Sequence, residues 1–243
     1  MGQMSEEPAC GGADAVERHK RLAAEEAATL VRPGMRVGLG HGSTACHAVE
    51  VLAGRYERGE LPGLTCAVAS AETASQARGL GLPVRSLAQM GGLDLTIDGA
   101  DEVDPALNLV KGGGGALLRE KVLAQMSERL VIVCHRQKLV ERLGSSFDLP
   151  VEVLPFALAP VRGHIRRDLG LESRLRRDER GIPALTEQGN MLLDLACGPI
   201  DDPRALHRAL KEMAGLVEHG LFLGLATDVL AAGEDGVEHM QPS

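Results

Sequence analysis

The stretch Thr96–Pro105, TIDGADEVDP, is followed closely by Leu109–Lys121, LVKGGGGALLREK. An apolar run from Leu93 to Ile97 leads into the first stretch and predicts a buried strand. We therefore expect Asp98 and Asp101 at the carboxyl end of that strand, where open α/β sheets bind ligands. Either stretch alone could be an Asx-rich turn or a flexible loop, but their order and proximity indicate a site.

The second stretch carries one lysine, four glycines and then Glu120, in the opening turns of a predicted helix. Small residues let the backbone approach a ligand, and carboxylates near an ammonium group suit proton transfer on a polar substrate. A carboxylate base needs a pKa closer to working pH than that of free glutamate, and partial burial provides it. By itself, Glu120 could equally be a surface partner for Arg119 or Lys121.

Strands and helices alternate as far as about Gly144, which predicts a parallel, doubly wound sheet. After Pro150 the order becomes β-α-β-β-α-β, typical of a ferredoxin-like unit. The expected strands lie at 35–39, 65–69, 84–87, 93–97, 129–134, 151–155, 173–177, 190–196 and 216–222.

We therefore predict an α/β fold with a doubly wound, mostly parallel sheet and a smaller ferredoxin-like α+β domain inserted near the C-terminus. The sequence divides into a disordered tail at 1–14, a Rossmann-like catalytic domain at 15–149 and 221–243, and the small domain at 150–220. The arginines between Arg162 and Arg180 are expected on a solvated face of the small domain.

Composition limits the partners of the chain. Of its 243 residues 44% are hydrophobic, which is enough for a core. Because the chain has only three Phe, one Tyr and no Trp, that core must be aliphatic. The net charge of −8 argues against general nucleic-acid binding. No apolar stretch approaches the roughly eighteen residues that span a membrane. An anionic substrate must therefore be held locally, by backbone N–H groups and a few cations.

The five cysteines are scattered, without a C-x-x-C pair. That pattern fits a reducing cytoplasm, and the acidic start lacks the apolar core of a secretory signal. No cluster of His, Cys, Asp and Glu has convincing metal-ligand spacing, so we expect no metal.

The turn Gly40–Thr44, GHGST, lies between a predicted strand and a predicted helix. Its backbone N–H groups and hydroxyls at a helix N-terminus favour a phosphate group. The signal is weak, because the turn matches neither the dinucleotide fingerprint nor the P-loop. Taken alone it is as often an ordinary strand–helix turn.

Together, G-x-G-S-T, D-G-A-D-E and the lysine–glycine run ending in R-E-K resemble the A type of ribose-5-phosphate isomerase. The resemblance continues through Leu149–Val153, Gly189-Asn190 and Gly220–Phe222, and covers residues 20–237. It implies interconversion of ribose 5-phosphate and ribulose 5-phosphate through an enediolate, in the non-oxidative pentose phosphate pathway, without metal or organic cofactor. We expect a cytoplasmic homodimer or homotetramer.

The resemblance also implies roles for individual residues. Glu120 would be the general base, while Asp98 and Asp101 would contact sugar hydroxyls and assist ring opening. The negative oxygen would be stabilised by Lys111 and by the N–H groups of Gly112, Gly113 and Gly114. The remaining implied binding residues are His41, Gly42, Ser43, Thr44, Gly99, Ala100 and Lys138.

Two positions depart from the family pattern, with His41 in place of the usual Thr and His135 in place of the usual Asp. A dianion near His41 would favour its protonated form, and His135 removes a carboxylate from the neighbourhood of Lys138.

Two alternatives remain. One is an enzyme for another sugar phosphate, such as an amino-sugar-phosphate deaminase, against which the D-G-A-D motif argues. The other is a non-catalytic sugar-phosphate sensor, against which the retained Glu120 argues.

Overall fold

Thirteen strands and six helices make up this computed structural model, which describes residues 11–242 and the side chains of residues 14–242. The strands are β1 Arg36–Leu39, β2 Thr65–Val68, β3 Leu95–Asp98, β4 Glu102–Val103, β5 Leu109–Val110, β6 Leu130–His135, β7 Leu149–Val153, β8 Glu172–Leu175, β9 Met191–Ala196, β10 Leu216–His219, β11 Leu221–Phe222, β12 Asp228–Gly233 and β13 Gly236–Met240. The helices are α1 Gly11–Thr29, α2 Ser43–Glu57, α3 Ala71–Gly79, α4 Leu117–Met126, α5 Leu158–Asp168 and α6 Pro203–Lys211.

The central sheet is six-stranded, in the order β13-β12-β6-β3-β1-β2. β12 pairs antiparallel with β13, and the other neighbouring strands run parallel. Parallel strands are covered by helices on both faces, which explains the continuous apolar runs by which the sequence identifies β3 and β6. Because the strands are parallel, the carboxyl ends of β1, β3 and β6 meet at one edge, and the expected α/β class is confirmed.

A smaller sheet has four antiparallel strands in the order β10-β7-β9-β8, with α5 and α6 in the connections. This is the strand order of the expected ferredoxin-like unit. Its apolar side chains, such as Val151, Val161, Ile165 and Leu193, form a core cluster separate from the one under the central sheet. The separate cores support our proposal that residues 150–220 form the small domain.

Two predictions for the N-terminal part of the chain differ from the structure. The expected strand at 84–87 is wrong, because Val84 forms only an isolated bridge with Cys66. The chain then turns into a short 3₁₀ segment, Leu87–Gln89, since the Ser86 and Gln89 side chains form a capping box around it. Helix α1 begins at Gly11, inside the predicted tail of residues 1–14, and residues 1–10 of that prediction lie outside the described chain.

The predicted single strand at 216–222 is instead two strands in different sheets. β10 belongs to the small sheet, whereas β11 joins β5 and β4 in a three-stranded sheet. Gly220 lies between them, donating its N–H to Pro150 O at 2.7 Å and accepting from Lys111 N at 2.9 Å. A Cβ at this position would lie 2.2 Å from Lys111 O, so only glycine lets the two sheets meet here.

None of the described helices is long and apolar enough to span a bilayer.

Close packing between β1 and β3 predicts a stability difference between two glycines. A Cβ at Gly38 would lie 1.9 Å from Thr96 Oγ1, so Gly38→Ala should lower the free energy of unfolding by about 1–3 kcal/mol through overpacking. Gly163, inside α5 with no heavy atom within 4 Å of a built Cβ, is the matched control. Gly163→Ala should raise stability by roughly 0.5–1 kcal/mol. Urea unfolding measures both, and equal shifts would contradict the packing argument.

Candidate active site

The carboxyl ends of β1, β3 and β6 open into a cavity of about 490 Å³. All but one of the site residues expected from the sequence line it, namely His41, Gly42, Ser43, Thr44, Gly99, Ala100, Asp101, Lys111, Gly112, Gly113, Gly114, Glu120 and Lys138. Asp98 is the exception and lies behind the wall. The two sequence stretches therefore do converge on one site.

Lys111 is the centre of this arrangement. Its Nζ donates to Gly99 O at 2.6 Å and lies 3.1 Å from Asp98 Oδ2 and 3.2 Å from Glu120 Oε1. Burial by itself would lower the pKa of Lys111, but the two carboxylates outweigh burial and raise the pKa above its ordinary value. The ammonium group therefore stays charged inside the protein and is a fixed positive charge at the cavity wall.

Glu120 is in the first turn of α4, so its carboxyl enters the cavity from the helix start. The side chain is buried, and Oε2 has no hydrogen-bond partner within residues 14–242. Burial and then the Asp98 charge raise the pKa of Glu120 to about 8, against the opposing effect of Lys111. A buried carboxyl with a free oxygen and a pKa near neutrality is suited to accept a proton from a ligand.

Asp98 is only 1% exposed and lies beneath Lys111, not at the cavity surface where sugar hydroxyls would be. Its Oδ1 accepts the Gly99 N–H at 2.8 Å. Gly40, in the turn after β1, leaves space for this carboxylate, because a Cβ at that position would lie 1.9 Å from Asp98 Oδ1. Burial raises the pKa of Asp98, and Lys111 opposes that rise. The geometry makes Asp98 a partner of Lys111.

The glycine loop after Lys111 has unequal N–H groups. Gly113 N donates to Asp101 Oδ2 at 2.8 Å, so this group is already occupied. Gly114 N has no acceptor among the described residues and is free for a ligand. Gly112 has a φ of +110°, which favours glycine, and a Cβ there would lie 2.9 Å from the Leu117 side chain. The sequence does not distinguish these glycines, whereas in the structure the Gly113 N–H is bound to Asp101 and the Gly114 N–H is not bound to any described residue.

The N-terminus of α2 also lines the cavity. Gly42 has a φ of +103° and precedes Ser43 without a side-chain cap, so the first N–H groups of the helix are open to an anion. Two cations line the same cavity. Lys138 follows β6 in a 3₁₀ turn, and Lys20 of α1 donates to Ser43 Oγ at 3.0 Å.

The sequence analysis missed Lys20. This lysine is far from both motifs in the chain, and a lysine on an amphipathic helix carries no local signal of a binding role. It reaches the cavity because α1 packs against α2 and β6.

The two unusual histidines have different surroundings. His41 Nδ1 lies 3.0 Å from Ser70 Oγ and 3.8 Å from Glu72 Oε2, and its ring packs on Gly114. His135 lines the cavity, and burial followed by Lys138 lowers its pKa. It is therefore neutral near pH 7, so this position carries no charge beside Lys138.

Within the described residues, no group of three or more His, Cys, Asp and Glu is placed to hold a metal ion.

The comparisons with known proteins agree on one family. The family model described as ribose 5-phosphate isomerase A (phosphoriboisomerase A) matches residues 65–236. A protein named ribose-5-phosphate isomerase A from Chloroflexus aurantiacus is 49% identical over 228 residues, covering 93% of this chain and 95% of its own. Another, from Desulfatibacillum aliphaticivorans, is 44% identical and covers 91% of this chain and 96% of its own.

Solved structures agree as well. A D-ribose-5-phosphate isomerase in complex with phospho-erythronic acid has a TM-score of 0.90 at 32% identity, covering 93% of this chain and 99% of its own. The ribose 5-phosphate isomerase A from Methanocaldococcus jannaschii has a TM-score of 0.88 at 34% identity, with the same coverage.

The raised pKa of Glu120 predicts a pH-dependent stability. Its carboxyl holds a proton in the folded chain up to about pH 8, whereas the ordinary value is 4.5. Between these values unfolding releases that proton, so rising pH destabilises the folded state. Glu120→Gln has no such titrating group. The difference between its free energy of unfolding and that of the parent should therefore shift in favour of the variant as the pH rises from 5 to 9. Urea unfolding across that range measures the gain. Exposed Glu128→Gln is the control, and a flat difference for Glu120→Gln would contradict the burial argument.

Proposed function

Because the chain belongs to the ribose 5-phosphate isomerase A family, we propose that it interconverts ribose 5-phosphate and ribulose 5-phosphate. The observation that carries the proposal is the Glu120 carboxyl at the cavity, whose Oε1 lies 3.2 Å from the Lys111 ammonium and whose Oε2 has no hydrogen-bond partner in the described part of the chain. This pairing supports proton abstraction next to a carbonyl, the central step of aldose–ketose isomerisation. The reported phospho-erythronic acid complex of a relative supports a phosphorylated sugar chain as the ligand.

In the proposed reaction, Glu120 removes the proton from C2 of the open-chain aldose. The C2–H electron pair forms the C1=C2 bond, and the carbonyl electrons move to O1. The Lys111 ammonium and the Gly114 N–H stabilise this oxygen as an oxyanion in the enediolate. Protonated Glu120 then gives its proton to C1, while the O2 hydroxyl proton transfers to O1, so that C2 becomes the carbonyl of the ketose and C1 carries a hydroxyl. Asp101, on the cavity wall, is the carboxylate placed to contact a sugar hydroxyl, while Asp98 keeps Lys111 in position.

We assign the phosphate to the part of the cavity lined by the N-terminus of α2. The open N-terminus of α2 offers N–H groups, and Ser43 and Thr44 add hydroxyls. Lys20 and Lys138 supply the positive charge that a chain of net charge −8 must provide locally. His41 and the neutral His135 line the same cavity and are the residues we expect to tune substrate preference.

The alternatives are less well supported. A deaminase of similar scaffold would not account for the match over most of the chain to ribose 5-phosphate isomerase A. A sensor has no use for a buried base whose pKa lies near working pH. Turnover of ribose 5-phosphate, compared with other aldose phosphates and an amino-sugar phosphate, separates the three functions.

We also propose that the chain forms a homodimer or homotetramer in the cytoplasm. Phe156 is 96% exposed and lies close to exposed Leu154 in the small domain, which supports an assembly contact there. Cys46, Cys66, Cys134 and Cys197 are free thiols, which supports a reducing compartment.

Glu120→Gln should fold and bind sugar phosphate but lose roughly a hundredfold or more in kcat, because amide replaces the proposed base. In the parent, kcat/KM should rise with pH through the pKa of Glu120, near 8. Steady-state assays with ribose 5-phosphate measure both, and Glu128→Gln is the matched control for loss of one carboxylate. Near-normal turnover in purified Glu120→Gln would contradict the assignment of Glu120 as the base.

Lys20→Ala should weaken binding of the phosphate end more than it slows chemistry, because its ammonium lies at Ser43 and not at Glu120. We expect KM and the inhibition constant of inorganic phosphate to rise roughly tenfold, as for loss of a charge-assisted hydrogen bond. The control is Arg21→Ala, the next residue, which pairs with Glu25 on the exposed side of α1. A loss confined to kcat would exclude the phosphate role.

A further inference from the structure

Arg176 departs from the solvated face expected for the arginines of the small domain. It follows β8, and its side chain is only 18% exposed. Nη1 donates to Gly112 O and to Gly113 O, both at 2.9 Å. On its other side the guanidinium binds Asp194 of β9, through Nε at 3.2 Å from Oδ2 and through Nη2 to Oδ1. Arg176 therefore connects the small sheet to the glycine loop of the site.

This contact fixes the direction of two peptide planes. In a trans peptide, a carbonyl and the following N–H point in opposite directions. By holding the carbonyls of Gly112 and Gly113, Arg176 turns the N–H groups of Gly113 and Gly114 away from itself. The first reaches Asp101 Oδ2 at 2.8 Å, and the second is free beside the cavity. Thus the Gly114 N–H owes its orientation to an arginine that does not line this cavity.

The loop needs such a restraint because a run of four glycines has the widest backbone freedom of any sequence. Gly112 and Gly115 both have positive φ, and Gly115 N closes a turn onto Gly112 O at 3.0 Å. The Asp194 carboxylate is itself buried, so it fixes the guanidinium in turn. A planar guanidinium with several donors can bind the carboxylate and both carbonyls at once, whereas a lysine ammonium cannot.

We propose that Arg176 is a positioning residue for the isomerisation, which aims the Gly114 N–H at the oxygen that becomes negative. The inference rests on the proposed function and deepens it. Arg176 lines the two neighbouring cavities and not the one that holds Lys111 and Glu120, so it acts through the loop and not on the substrate. The small domain thereby contributes to catalysis.

The first test compares Arg176→Lys and Arg176→Ala with Arg174→Ala. Arg174 is 77% exposed, lies 3.9 Å from Asp194 and has no bond to the glycine loop, so its removal is the matched control. With ribose 5-phosphate, Arg176→Lys should lose roughly tenfold to a hundredfold in kcat, as expected when a catalytic donor is misaligned. KM and the inhibition constant of inorganic phosphate should stay within about twofold of the parent values, because the substitution leaves the proposed phosphate-binding residues unchanged. Low millimolar guanidinium should restore part of the kcat of Arg176→Ala.

A second measurement does not need activity. Amide hydrogen exchange in residues 112–116 should be faster in both Arg176 variants than in the parent and in Arg174→Ala. Arg176→Lys keeps a positive charge for Asp194, so it remains informative if Arg176→Ala fails to fold.

Unchanged kcat in folded Arg176→Lys, an equal loss in Arg174→Ala, or unchanged exchange in the loop would each overturn the proposal. If the parent protein does not turn over ribose 5-phosphate, the proposed function fails, and the exchange result still decides whether Arg176 restrains the loop.

Discussion

The burial of Lys111 between Asp98 and Glu120 is the constraint on which the rest of the site depends. Two carboxylates face one ammonium within 3.2 Å, with almost no water to share the charge. Breaking such a buried group typically costs about 3–5 kcal/mol, because a charge is left without a partner. Hence the end of β3, the glycine loop and the start of α4 must be held in one arrangement. Burial raises the pKa of both carboxyls, and for Glu120 the Asp98 charge adds to the rise.

This electrostatic group explains why the surrounding residues are small. Gly40 leaves space for Asp98, Gly99 supplies the carbonyl that Lys111 binds, and Gly220 lets β11 approach the lysine backbone. The Phe222 ring packs against this group, and its centroid lies 5.6 Å from the Lys111 ammonium and 4.8 Å from the Lys121 ammonium. A hydrophobic ring under two cations excludes water and adds a favourable electrostatic contact. The site is thus built from strand ends of two sheets.

The sequence was sufficient where the determining residues are close together in the chain. Asp98, Lys111 and Glu120 come from two adjacent motifs, and the apolar runs before Asp98 and through β6 identify buried strands without tertiary information. It was insufficient where a position depends on distant packing. Lys20 reaches the cavity through the packing of α1, and the place of Asp98 behind Lys111 depends on Gly40, which follows β1. In the sequence Arg176 is one of several arginines expected on a solvated face, and only the fold shows that it binds the carbonyls of the glycine loop.

The position of β12 in the central sheet has a consequence for biosynthesis. β12 lies between β6 and β13, yet the ribosome makes it after all four strands of the small sheet. Throughout that interval β6 has one unpaired edge, and its sequence LVIVC is strongly apolar. An open apolar strand is the kind of segment through which nascent chains associate wrongly. Phe222 is also made after the small sheet, so the candidate site is completed only late in translation. A chain truncated before β12 would carry both the open edge and an unfinished sheet.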